Sequence, residues 1–154
     1  LYHLLSTTQF GAGNVNRALH WLNKVLNDPE PALRQDIFTY ARLFNLVIHY
    51  ELGNYELLEY IVRSTQRFLS KRHRAYGVEA ALIEQVKKLA KAGTTEQKRA
   101  LFIALGARFD ELMKDPNEST VLKYFNIRAW VSGKVDGIPY AEAVRSVTGR
   151  KRSK

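Results

Sequence analysis

The sequence predicts an all-α protein built of stacked antiparallel helical hairpins, about eight helices with a repeat of about 40 residues. Three observations predict it. Apolar residues recur at intervals of three and four along most of the chain, the period of one helical face. No alternation of the kind that marks a strand runs long enough to count. Gly13, Gly53, Gly93 and Gly133 stand 40 residues apart, each between two helical patterns.

The elements follow in order. The stretch FGAGNVNRALHWLNKVLND (10–28) places Gly13-Asn14 before an apolar pattern, and YELGNYELLEYIVRSTQRFL (50–69, read with its flanks) places Gly53-Asn54 before another. A glycine ends a helix cheaply in the left-handed region. The asparagine that follows is expected to cap the next helix by accepting a backbone N–H bond. Between these pairs, Leu33, Ile37, Tyr40, Ala41, Phe44, Val47 and Ile48 define a helix that Asp28 and Pro31 open. The helix after Gly53 runs through Leu57, Leu58, Ile61, Val62, Thr65, Phe68 and Leu69. Ala81, Leu82, Val86, Leu89 and Ala90 form the next face, which Gly93 stops. Thr94 or Thr95 caps the following helix, carried by Leu101, Phe102, Leu105, Phe109 and Leu112. Asp115-Pro116-Asn117 then breaks the chain. A seventh pattern holds Val121, Leu122, Phe125, Ile127, Trp130 and Val131 and is expected to end at Gly133; Pro139 opens a short last helix with Tyr140, Ala141, Ala143 and Val144. The domain is therefore read as 1–148, in units centred on the four glycines, with 149–154 as a basic tail.

Composition narrows the function classes. The 154 residues suffice for one domain with a core. With no cysteine there are no disulfides, zinc-thiolate sites or thiol nucleophiles. LFNLVIHY (43–50) is far shorter than a membrane span, so a soluble protein is expected, with the cytoplasm as the favoured compartment. The chain begins at Leu1 rather than Met, which suggests the C-terminal part of a longer array. The net charge of +9 invites a nucleic-acid reading. Its distribution weakens that reading: residues 121–154 hold eight basic and two acidic side chains, much of the excess in the final five residues. A short basic tail is ordinarily solvated. KRHR (71–74) and the lysines around Gly93 keep nucleic-acid association as the alternative.

The residues that carry chemistry form no catalytic constellation. His3, His20, His49 and His73 include no pair at metal-binding spacing, and His49, among apolar neighbours, reads as a packing residue. GKVDG (133–137) lacks phosphate-loop spacing. The Glu56/Glu59 and Asp110/Glu111 pairs have no facing partner in the pattern. The reading is therefore not an enzyme, with no metal and no cofactor, although a non-catalytic domain of a larger enzyme is a third possibility.

Gly13, Ala18, Leu22, Val25 and Leu26, followed by Asp28-Pro29, resemble a tetratricopeptide repeat. The second unit keeps Gly53 and Tyr55 but has Leu58 where the family has alanine; the third has Lys98 there, and the fourth shares only Gly133. The 40-residue spacing exceeds the family's usual 34, and a HEAT-like period would also fit. The resemblance implies a degenerate array in a right-handed superhelix, a scaffold or protein–protein interaction module whose first helices line a concave groove for a peptide or partner helix. Carried over through the glycine register, that groove is lined by Tyr40, Val47, Tyr50 and Glu51 in unit two and by Ile83, Lys87 and Lys91 in unit three. The family's carboxylate clamp is missing: the matching positions are His3, Thr7, Ala80 and Glu84. Leu1, Tyr2, Leu4, Leu5 and Phe10 crowd the N-terminal edge, which predicts either an upstream repeat or self-association through residues 1–10.

Overall fold

The computed structural model describes residues 1–28, 35–72, 76–119 and 123–152, with side chains through Val147. The described residues form eight helices and no strand: α1 (Tyr2–Gly11), α2 (Val15–Leu26), α3 (Gln35–Glu51), α4 (Tyr55–Ser70), α5 (Gly77–Lys91), α6 (Thr95–Leu112), α7 (Ile127–Asp136) and α8 (Tyr140–Arg152). Each packs on its neighbour in chain order, and α3 also packs on α5.

The Gly-Asn pair is a helix stop, and its chemistry differs from the expected cap. In both copies the glycine is left-handed, with φ of 85° at Gly13 and 75° at Gly53. The Gly13 N–H donates to Phe10 O (3.0 Å) and the Asn14 N–H to Gln9 O (2.8 Å); Gly53 and Asn54 repeat this onto Tyr50 O and His49 O, both at 3.0 Å. These are the two crossed bonds of a Schellman motif, which satisfy carbonyls left over at the helix end. Asn14 and Asn54 hold the N-cap position but make no side-chain cap bond. Their amides reach five residues back instead, Asn14 Nδ2 to Gln9 Oε1 (3.0 Å) and Asn54 Nδ2 to His49 Nδ1 (3.1 Å). The repeated pair therefore clamps the end of the first helix rather than the start of the second.

The third and fourth glycines behave differently. Gly93 lies in the α5–α6 turn without a positive φ. There a capping box does the work: Thr94 Oγ1 accepts from Gln97 N–H at 3.1 Å, and Gln97 Oε1 accepts from Thr94 N–H at 3.2 Å. Gly133 is no turn residue. It sits inside α7, buried, where an added Cβ would stand 3.0 Å from Ile138 O and 3.3 Å from Ala143 Cβ. It is a close-approach glycine between α7 and α8, and Gly137 ends α7 with φ 69°. The seventh helix accordingly starts at Ile127, so Phe125 lies in the loop before it. The last helix is longer than expected, its backbone continuing to Arg152 where the sequence suggests a separate tail. Pro29, Pro31, Leu33, His73, Arg74, Val121, Leu122, Ser153 and Lys154 lie outside the described residues, as do the side chains of 148–152.

The central element is α3. Twelve of its residues are buried, from Ile37 to Tyr50, so it is apolar on nearly all sides rather than on one stripe. The C-terminal segment folds over it. Phe125 packs on Phe44 (ring centroids 4.5 Å apart) and Phe10 (5.4 Å), and Tyr140 on Phe10 (5.2 Å) and Phe125 (5.1 Å). Trp130, 2% exposed, meets Phe102 edge-on at 5.2 Å and Tyr50 at 6.0 Å. Such pairs add to the burial of large rings, and they tie the last hairpin to the first two.

Candidate functional site

The closure by α7 decides which of the expected groove residues are accessible. Tyr40, Val47 and Tyr50 are 4%, 0% and 7% exposed, so the unit-two wall is core. Tyr40 stacks on Phe44, faces Tyr124 at 5.5 Å, and shares a 2.6 Å hydrogen bond with Thr7 Oγ1. Burial drives its phenol far above the usual range and pushes that of Tyr50 up to about 12, where Tyr55 and Glu51 add to the effect. Glu51, half-buried, is occupied from within: Trp130 Nε1 donates to its Oε1 at 2.7 Å, and Lys134 Nζ is an ion-pair partner at 2.7 Å. The concave face that the resemblance implies is thus covered by α7 and the loop before it. The physical reason is that Tyr124, Phe125 and Trp130 bury more apolar area there than an open groove would allow.

The unit-three wall is different. Ile83, Lys87 and Lys91 line a cleft of about 630 Å³ between α4 and α5. Ile83 forms its floor with Leu69, Ala80 lies exposed on its α5 side, Gln66 and Ser70 close it from α4, and Tyr76 stands at one end. Lys87 and Lys91 continue into an adjoining cleft of about 280 Å³, whose apolar lining is Leu58, Val62, Val86 and Ala90. The two clefts share Gln66, Lys87 and Lys91 and together follow the seam of the α4–α5 pair. That seam is open because Ala80, Gln66 and both lysines are exposed along it while Ile83, Val62 and Val86 are buried beneath.

Charge along the seam is ordered. Under one end Arg72 and Glu79 form a largely buried ion pair, and Arg72 also donates to Thr39 Oγ1 at 3.2 Å. Burial raises the Glu79 carboxyl, and the hydrogen bond and charge of Arg72 oppose that rise. Among the described residues Glu79 Oε2 and Arg72 Nε find no hydrogen-bond partner. On the rim Glu84 takes Arg108 at 2.7 Å and Lys88 at 3.7 Å, which hold its carboxyl below the ordinary range. Glu59 takes Arg63 at 3.2 Å.

Of the expected groove residues, Ile83, Lys87 and Lys91 lie on the α5 side of this seam, and none lies on the α4 side. Gln66, Leu69 and Ser70 were invisible because the register assigned groove lining to first helices only, whereas here the second helix of unit two supplies the opposite wall. A further cleft of about 560 Å³ lies at the turn end, lined by Phe10, Gly13, Trp130, Lys134 and Tyr140, with its one carboxylate, Glu51, already engaged. Among the described residues no group of three or more His, Asp or Glu is placed to hold a metal ion, and no helix is long and apolar enough to cross a membrane. At the N-terminal edge Leu1, Leu4 and Tyr2 are 80%, 59% and 45% exposed while Phe10 is buried.

The fold and site define an all-α protein of sequentially packed helical hairpins with an open, lysine-edged seam between α4 and α5. Comparison with known protein families, with curated proteins and with solved structures finds no match for the chain.

Proposed function

We propose that this chain is a protein-interaction module, a degenerate tetratricopeptide-like array that holds a peptide or partner helix without chemistry of its own. The observation that carries this reading is the α4–α5 seam: two adjoining clefts with largely apolar lining, edged by exposed lysines, in a fold whose other expected binding face is filled by its own aromatics. Helix-in-groove recognition needs this combination, an apolar trough for one face of the ligand and charged edges to fix its register. The nucleic-acid alternative draws less support, because Arg63, Lys88, Arg108, Lys114 and Arg128 are each paired with a carboxylate. Selection of binders from a random peptide library on the immobilised protein tests the reading. Enriched peptides should lose binding to Ala80→Arg, which fills the cleft from an exposed position. Enrichment of none, or binders indifferent to Ala80→Arg, overturns it.

A further inference from the structure

The seam has a charge preference, and it rests on the groove reading above. Among the described residues its carboxylates are largely spent internally: Glu79 on Arg72, Glu84 on Arg108 and Lys88, Glu59 on Arg63. Glu56 is left, at the far end of the smaller cleft. Among the described residues Lys87 and Lys91 have no carboxylate partner; they stand one helical turn apart and are the two cationic residues common to both clefts. Side chains four apart on a helix lie roughly 5–6 Å from one another at Cβ, the same separation that carboxylates at i and i+4 of a docked helix present. Below the lysines the lining is apolar, Leu69 and Ile83 in the larger cleft and Leu58, Val62, Val86 and Ala90 in the smaller, and the Arg72–Glu79 pair lies under the far end of the larger one. We propose that the occupant is an acidic amphipathic helix, with its apolar stripe on Ile83, Leu69 and Val62 and two carboxylates one turn apart on Lys87 and Lys91.

The arrangement has a physical logic. Exposed ammonium groups keep their hydration and cost the free protein little. Once an apolar stripe covers the seam, water is displaced around them and a matching carboxylate gains more than it would on an open surface. A basic ligand would meet Lys87 and Lys91 as like charges, which gives the seam selectivity as well as affinity.

Three labelled helical peptides test this, with the same leucine stripe and with Glu, Gln or Lys on the remaining face, titrated by fluorescence anisotropy into the full chain. The Glu peptide should bind about 10-fold or more tighter than the Gln peptide and lose that advantage as salt is raised. Lys87→Glu/Lys91→Glu should reverse the order of the Glu and Lys peptides, and Lys87→Gln/Lys91→Gln should level it. Circular dichroism confirms that each variant is folded, which two exposed positions favour. Equal affinities for the three peptides, or an order untouched by either double variant, overturn the acidic-helix proposal and leave the groove standing. Absence of saturable binding by all three up to ~1 mM removes the groove reading itself.

Discussion

Glu118, in the segment after α6, decides how the third hairpin is closed. The N-cap position of α5 is Tyr76, whose side chain makes no cap bond. Glu118 serves from 40 residues away: its Oε1 accepts the Gly77 N–H and its Oε2 the Val78 N–H, both at 2.9 Å. Removing a side-chain cap costs about 1 kcal/mol, and a carboxylate at a helix N-terminus adds about 0.3–1 kcal/mol through the helix dipole. The bonds here are charge-assisted and doubled, so Glu118→Ala is expected to cost about 1.5–3 kcal/mol. For a chain of this length that is a fall of about 4–10 °C in Tm. Glu118→Gln retains an acceptor but not the charge, and should lose about half as much. Gly77 explains why the cap comes from so close a neighbour: an added Cβ there would stand 2.7 Å from Leu112 Cδ2, so the start of α5 is pressed against the end of α6. Thermal unfolding followed by far-UV circular dichroism gives the answer. A Glu118→Ala protein melting within ~1 °C of the parent would show that the long-range cap is not made.

Three further outcomes follow from the geometry. Gly53→Ala should cost about 1–2 kcal/mol because its φ of 75° is left-handed, whereas Gly93→Ala, whose Cβ would meet only Gln97 Oε1 at 3.7 Å, should change stability by less than ~0.5 kcal/mol; urea titration separates the two, and equal losses would contradict the turn assignments. Burial lowers the pKa of His49 below the ordinary histidine value, so the unfolded chain takes up a proton first as pH falls; its stabilising effect is complete above about pH 6.5 and declines below it, and urea midpoints compared at neutral and mildly acidic pH should fall more for the parent than for His49→Gln. If the exposed Leu1, Tyr2 and Leu4 join two copies, light scattering should show a concentration-dependent dimer that Leu4→Glu abolishes, and a parent monomeric at all concentrations would refute self-association through that edge.

The helices were legible because their signals are local. The three-and-four recurrence of Ala18, Leu22 and Val25, or of Leu58, Val62 and Thr65, is also the recurrence of what is buried. The positive φ at Gly13 and Gly53 follows from residue type and position in the same way. The fourth unit was misread because its glycines do two jobs that spacing alone cannot separate: Gly133 continues the 40-residue interval but packs α7 on α8, while Gly137 makes the stop. The unit-two groove was misplaced for a non-local reason. Trp130 and Phe125 are more than 70 residues from Tyr50 and Phe44, and nothing in the period states that they meet. One hint was present: LFNLVIHY (43–50) has no charged residue and its polar groups, on Asn45, His49 and Tyr50, form no continuous face, and a helix without a polar face has no side to offer solvent.

Because the chain has no cysteine, single cysteines report directly on which face is open. The most direct measurement of the central claim is the rate of thiol labelling of Val47→Cys, on the covered face, and Ala80→Cys, in the seam, with Ala104→Cys on the exposed side of α6 as reference. Ala80→Cys should label about as fast as Ala104→Cys, Val47→Cys should be slowed by a factor of ~100 or more, and the Glu-bearing helical peptide should protect Ala80→Cys alone. Rapid labelling of Val47→Cys in the folded protein, or peptide protection at Ala104→Cys instead of Ala80→Cys, would contradict it.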